Sequence, residues 1–374
     1  MPRFVRSSLL IPLTLAALLT GCASTPDQAQ EESTPFVFRA LDLNQRRDDG
    51  SRDWDLSSPE ARYNLVDRTV QAQRPAGVVY RSNQPYLRLS ADQATLINDG
   101  EQIILEGRVQ LQQLTAQRLL IEGERLVWSP VESRIVIDRQ PRVLDSRSRL
   151  SAERFVLIED RDQLQLDGPT RLEHWPERRT PKTKAETEIL GGSGSWNLQT
   201  GQLSVAGPVT ATRSNNSRLT AASLQGDTAA EVLDLVQPVR LDLGEDGGSV
   251  SAGTTRWHYA EQRFQSSAPV EGRRKAMRMR GVGFVLDEQQ STLLVTSDCQ
   301  LQQPEEQLDA QQCLWNWRTQ QIVAKSDAQR LEGRLGDDDR FQFDSPAGRV
   351  RSQFRLEPRS IKPNPRTSNP PVSF

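Results

Sequence analysis

Two histidines, His174 and His258, are the whole supply of imidazole in this 374-residue chain, and neither sits in a HExxH-type pair. A zinc site needs three or four ligands converging on one point, so none is expected. No Gly-x-Ser-x-Gly turn is there to raise a serine nucleophile. Gly191-Gly192-Ser193-Gly194 is rich enough in glycine for a phosphate loop, but a strand-like segment with Trp196 follows it. Phosphate binding of that kind requires a helix N-terminus, so the run reads as a bend. Asp337-Asp338-Asp339 reads as a solvated turn rather than a calcium site. No catalytic residue, metal or cofactor is expected.

The cysteines carry what chemistry remains. Leu19-Thr20-Gly21-Cys22 has the form of a lipobox, behind Arg3, Arg6 and an apolar stretch from Leu9 to Leu19. That stretch is shorter than the ~20 residues a membrane span needs. Small residues before Cys22 let a signal peptidase grip the extended chain, and the thiol then takes a lipid. Residues 1–21 would be removed, and residues 22–34 would tether the protein to a membrane. An ordinary cleaved leader with a chance cysteine is the plainer reading. Cys299 and Cys313 remain as an even pair in an oxidising compartment, either a disulfide or two buried thiols. The basic run Arg273-Arg274-Lys275, with Arg278 and Arg280, has two readings as well. It meets the phosphates of a ligand through charge-assisted bonds, or it is a solvated edge that discourages strand-to-strand aggregation.

Elements able to position such residues must be short and extended. The chain is 36% hydrophobic and 26% charged, with 23 Gly and 22 Pro and a mean hydropathy of −0.61. Such a composition suits many strands and turns rather than long helices. The formal net charge is −2, a balanced surface with no pull toward nucleic acid.

A short signature recurs: an apolar residue, any residue, a small residue, then an apolar or Trp residue five positions on. Its small residues are Ala61, Ala91, Gly123, Ala152, Gly191, Ala221, Ala252, Gly281 and Ala310, roughly thirty residues apart. The interval from Ala152 to Gly191 is longer and holds a proline-rich, charged segment, read as a loop insertion over 176–188. Units close on Gly107-Arg108-Val109, Pro141-Arg142-Val143, Gly168-Pro169-Thr170, Gly207-Pro208-Val209, Pro238-Val239 and Pro269-Val270. Between opening and closing lie turns such as Asn98-Asp99-Gly100, Glu159-Asp160-Arg161-Asp162 and Thr200-Gly201. Each unit therefore reads as strand, turn, strand.

Alternation is clean within the strands. Ile103, Leu105, Val109 and Leu111 share one face, as do Leu164 with Leu166 and Leu203 with Val205. Period two implies one buried and one wetted face. A unit of two strands cannot cover its apolar face alone, so copies must stack. The expected result is an all-β, elongated jellyroll with the first strands of all units in one sheet and the second strands in the other. Its apolar lining is either closed by its own side chains or held open as a trough for acyl chains.

The opening segment Pro35-Phe36-Val37-Phe38-Arg39-Ala40-Leu41-Asp42-Leu43 and the later Trp54-Asp55-Leu56-Ser57-Ser58-Pro59-Glu60-Ala61-Arg62-Tyr63 resemble the start of an LptC domain. So does the stretch from Ala91 to Leu111, with its Asp-Gly turn and apolar-Gly-x-Val strand. The resemblance covers residues 35–175; residues 189–357 continue the rung pattern, and 358–374 form a Pro-, Asn- and Ser-rich tail expected to be disordered. It implies a β-jellyroll of the LptA/LptC kind, working in lipopolysaccharide export without an active site. The implied partners are lipopolysaccharide, an inner-membrane ATP-driven transporter of the LptBFG kind, and an LptA-like bridge protein. The lining Ile103, Leu105, Val109, Leu111, Leu164, Leu166, Leu203 and Val205 is the candidate lipid groove. The implied location is the periplasmic side of the envelope, lipid-anchored, at the inner membrane by family role with the outer membrane as the alternative. A lipobox in place of a transmembrane helix, and about twice as many rungs, set this chain apart from the short family form. The rival reading is a structural envelope lipoprotein that scaffolds other proteins and binds no lipid.

Overall fold

The alternating strands pair wholly antiparallel. The computed structural model describes residues 36–114, 119–180, 183–244, 247–303, 307–326, 329–336, 341–345 and 348–352. Cys22, the leader, the tether, Asp337-Asp338-Asp339 and the tail from 358 lie outside the described residues. The described residues fall within one compact unit. Among the described residues there is no α-helix, only strands, turns and three short 3-10 turns.

The chain builds two facing ladders, here sheet I and sheet II, and passes repeatedly from one to the other. One rung shows the rule. Arg154–Ile158 turns at 159–162 and pairs with Gln163–Asp167 in sheet I. The chain crosses at Gly168-Pro169, and Thr170–His174 pairs with Thr187–Gly191 in sheet II. It crosses back at Gly192-Ser193 and begins the next hairpin with Gly194–Asn197. Each repeat therefore holds two hairpins, one per sheet. This corrects the expectation that first and second strands of a unit enter different sheets. The first turn folds the chain back onto its own sheet, because its left-handed residues (Asp99 at φ 58°, Asp162 at φ 51°) close a tight hairpin. The sheet change comes later, at the closing signature. A few long strands, such as Gln102–Gln113, Leu120–Ser129 and Met277–Asp287, run through both sheets and bend between them.

Both signatures of the repeat lie along this crossing edge. Pro141, Pro169, Pro208 and Pro238 fall between strands, where no ladder bond needs their missing N–H. Pro269 sits at a register shift within Arg263–Arg274. The closing valine of one unit faces the small residue that opens the next: Val109 opposite Gly123, Val209 opposite Ala221, Val239 opposite Ala252, Val270 opposite Gly281. The reason is steric. A Cβ on Gly123 would lie 2.5 Å from Ile137 Cγ2, and one on Gly281 would lie 2.3 Å from Val295 Cγ1. The sheets converge here, and a branched side chain of sheet I fills the space over the small residue.

Away from that edge, inward positions are filled. Ile103, Leu105, Val109, Leu111, Leu164 and Leu166 are all at most 1% exposed. Trp128, Trp257 and Trp315 are buried as well, and Trp196 is half-buried. Cys299 and Cys313 are joined in a disulfide. It ties Thr292–Gln302, where that strand runs in sheet II, to Gln312–Asn316 in sheet I.

Two stability measurements test this account. Gly281→Val should cost about 2–3 kcal/mol in urea unfolding and Gly281→Ala less, because the backbone φ is ordinary and the cost is overlap with Val295. Equal stability of the valine variant and the parent would refute convergence at that edge. Reducing Cys299–Cys313, which closes a loop of 14-residue separation, should remove about 3 kcal/mol. An unchanged urea midpoint under reductant would count against it.

Candidate functional site

Among the described residues, the side opposite the packed crossing edge is where two rows of hairpin turns face each other. Polar side chains reach across this mouth. Arg81, at the end of Ala76–Arg81 in sheet II, donates to Asp162 in the sheet I turn at 2.7 Å, and also to the Glu159 carbonyl. Tyr86 donates its hydroxyl to the other Asp162 oxygen at 2.5 Å, with Arg81 stacked 3.7 Å over its ring. Further along, Arg213, at the end of Val209–Arg213 in sheet II, meets Glu288 of a sheet I turn at 2.5 Å. Both of these side chains are only 15% exposed. Arg274 crosses to the Gln320 side-chain oxygen at 2.7 Å. These clasps join residues far apart in sequence, and no motif announces them.

Glu159 is buried within the first clasp. It accepts a 2.7 Å hydrogen bond from the Trp128 indole, and Trp128 in turn meets Trp54 edge-on. Burial pushes its carboxyl up to about 7, against the opposing pull of the Trp128 hydrogen bond; Asp53 raises it further, and Arg81 and Arg47 draw it down. The hydroxyl of Tyr86 is raised above its ordinary range, chiefly by burial and then by its bond to Asp162. Glu288 is raised too, by burial first, with Arg213 opposing.

The lining residues do not form one cluster. Ile103, Leu105, Val109, Leu111, Leu164 and Leu166 belong to a core that runs from Trp54 to Leu198. Val205 belongs to a second core that runs to Leu335, and the half-buried Leu203 packs against it. The break falls where Gly191, Gly192 and Gly194 supply no side chains and Leu190 is 45% exposed. Between the two cores the lining is thinner: Trp196, packed on the first, stands opposite Leu203, packed on the second.

The basic run sits on a sheet II turn at the mouth. Arg273 and Arg280 share Glu271, whose carboxyl Arg273 chiefly holds below its ordinary range. Arg274 is committed to Gln320, and Lys275 occupies the turn itself at φ 47°. His174 contacts Ser148 and His258 contacts Gln265. Among the described residues no group of three His, Cys, Asp or Glu side chains is placed to hold a metal. No helix there is long and apolar enough to cross a membrane.

Two facing antiparallel sheets of stacked rungs, apolar within and clasped by polar groups along one side, make a β-jellyroll. Residues 9–140 match the family described as lipopolysaccharide-assembly, LptC-related. The family is one of periplasmic, envelope-associated lipopolysaccharide-transport components rather than of enzymes. No curated protein matches this chain. Beyond residue 140 the same two ladders continue through the second core.

Glu159 should make stability depend on pH. Below about 4.5, its ordinary value, the folded and unfolded chains both carry it neutral and it costs nothing. As pH rises through about 7 the folded state must either hold a proton or bury a charge, and its advantage is lost. Glu159→Gln keeps an oxygen for the Trp128 indole. It should match the parent at pH 4 and exceed it at pH 8 by roughly 2–3 kcal/mol in urea unfolding. A difference independent of pH would exclude this carboxyl as the cause.

Proposed function

We propose that the protein is a lipopolysaccharide carrier of the export bridge. It receives the glycolipid from the inner-membrane ATP-driven transporter and passes it to an LptA-like neighbour. The observation carrying this reading is the LptC-related match on a body whose sheets present apolar faces to each other along successive rungs. Acyl chains would enter between the sheets while sugars and phosphates stay in water. Each buried CH₂ contributes about 0.8 kcal/mol, so a lipid with several tails offsets the cost of parting the sheets. The candidate groove is the interior at Ile103, Leu105, Val109, Leu111, Leu164 and Leu166, continued beyond the glycine run at Leu203 and Val205. Arg273, Arg274 and Lys275 lie at the mouth, where glycolipid phosphates would pass. The lipid on Cys22 would hold the protein to its membrane.

Hand-over would use strand edges. Among the described residues Phe36–Arg46 pairs only with Arg52–Asn64, and Phe36, Val37 and Phe38 on it are 44–60% exposed. A free edge carrying exposed apolar side chains suits β-pairing with a neighbouring jellyroll.

One observation favours a second reading. The interior is filled by its own side chains, as in a closed scaffold lipoprotein that carries no lipid. Photocrosslinking from Leu105 and Leu166 in cells separates the two. Adducts with lipopolysaccharide are expected, together with loss of surface lipopolysaccharide when the protein is depleted. Protein-only adducts at both positions, with surface lipopolysaccharide unchanged, would establish the scaffold instead.

A further inference from the structure

A contact between a tryptophan and a hairpin turn recurs along sheet I, and it fails at one place where its parts are present. Trp128 stands beside Ile135, and Ile135 beside Leu157; Glu159, two residues on, accepts from the Trp128 indole at 2.7 Å. Trp196, Leu203 and Gly226 hold the same register, and Thr228, again two residues on, accepts from the Trp196 indole at 3.2 Å. Trp257, Phe264 and Leu286 repeat it, which puts Glu288 in the acceptor's place. Yet Glu288 pairs with Arg213, and the buried Trp257 indole N–H has no partner among the described residues. In the fourth copy, Trp315, Ile322 and Gly333, the place falls to Leu335, whose side chain has no acceptor.

The difference between the first and third copies lies three residues further along the turn. Asp162 ends the first turn at φ 51° and takes Arg81, which leaves the Glu159 carboxyl to its tryptophan. Ser291 ends the corresponding turn at φ 57°. It offers no carboxylate, so Arg213 draws Glu288 itself. Glu288 therefore has two claimants. Arg213 holds it at 2.5 Å and stands 5.6 Å over the Trp257 ring. Trp257 and Glu288 together line a space with room for about one water molecule between packed core side chains. Such a space admits a carboxylate oxygen and nothing longer.

We propose that Glu288 is a two-position latch. Paired with Arg213 it holds the two sheets together at this rung; turned onto the Trp257 indole it releases Arg213 to water and lets the mouth part there. A buried ion pair gains little net stability from its own attraction, because both charges give up hydration. In the second position Arg213 recovers water, and the Trp257 donor, unmet in the first, is satisfied. Glu159 shows that position occupied, with a buried carboxyl on an indole pushed up to about 7 by burial. Burial raises the Glu288 carboxyl as well; Arg213 opposes, and Asp287 and Glu186 raise it further. The latch lies wholly beyond residues 9–140 and does not depend on what the interior carries.

The test is nuclear magnetic resonance of the full chain with isotope-labelled tryptophan, the Trp257 indole being identified by its loss in Trp257→Phe. Arg213→Gln frees Glu288, and the Trp257 indole proton is expected to move downfield, toward the position of Trp128. Ser291→Asp, which offers Arg213 the partner that Asp162 offers Arg81, is expected to move it the same way. Adding Glu288→Ala to Arg213→Gln should return it upfield. Opening is read from alkylation of the thiol in Leu241→Cys, a buried site on Val239–Asp242 beside Trp257. Arg213→Gln should speed alkylation severalfold, and Ser291→Asp, with the mouth still clasped, should leave it at the parent's rate. An indole proton unmoved in both variants, or one that moves while Arg213→Gln alkylates no faster, would overturn the proposal. Faster alkylation in Ser291→Asp would overturn it too, because it marks a loosened fold rather than a latch.

Discussion

A β-strand shows successive side chains to opposite sides, and that constraint governs everything in this protein. Once one side of each strand is apolar, a single rung has a face it cannot cover. Water is excluded only when the next rung stacks beside it and the other sheet closes above it. The short hairpins gain their stability from neighbours rather than from themselves. This is why residues as far apart as Trp54 and Trp128 come to touch, and why the repeat survives the longer turn between His174 and Thr187.

Closure along one edge decides where the body can open. At the crossing edge, a small residue under a branched one brings the two sheets to contact distance, as at Gly123 beneath Ile137 and Gly281 beneath Val295. Parting the sheets there would strip close packing from every rung. On the other side the contacts are few and polar: Arg81 with Asp162, Arg213 with Glu288, Arg274 with Gln320. Such groups can be re-satisfied by water or by a ligand's own polar atoms, whereas a lost van der Waals contact has no substitute. A filled interior and a carrier role are therefore compatible, since the same side chains that pack the closed state would line the open one.

The buried core falls into two clusters, one on each side of the glycine-rich run at 191–194. The clasps over the two cores differ in character. The first is a network in which Asp162 answers both Arg81 and Tyr86. Over the second core Arg213 pairs with Glu288, with its guanidinium over the Trp257 ring, and Arg274 reaches Gln320. The LptC-related match overlaps the first core and ends before the second, which is built by the same rung rule.

The all-β character, the stacked rungs, the turn positions and the inward set Ile103, Leu105, Leu164 and Leu166 were legible in the order of residues, because face alternation and turn chemistry are local properties. So was the LptC-like opening segment. The placing of both hairpins of a rung was misread, because a strand that continues straight and one that bends into the other sheet have the same alternation. Arg81, Asp162, Arg213, Glu288 and Glu159 carried no signal beyond ordinary turn charge. Their partners lie several rungs away, and only the twist and stacking of the sheets bring them together. What the chain determined by itself is which faces must be hidden from water. Which charged groups meet across the mouth, and whether the hidden space is one chamber or two, was decided by tertiary packing, since these depend on distances that no local pattern encodes.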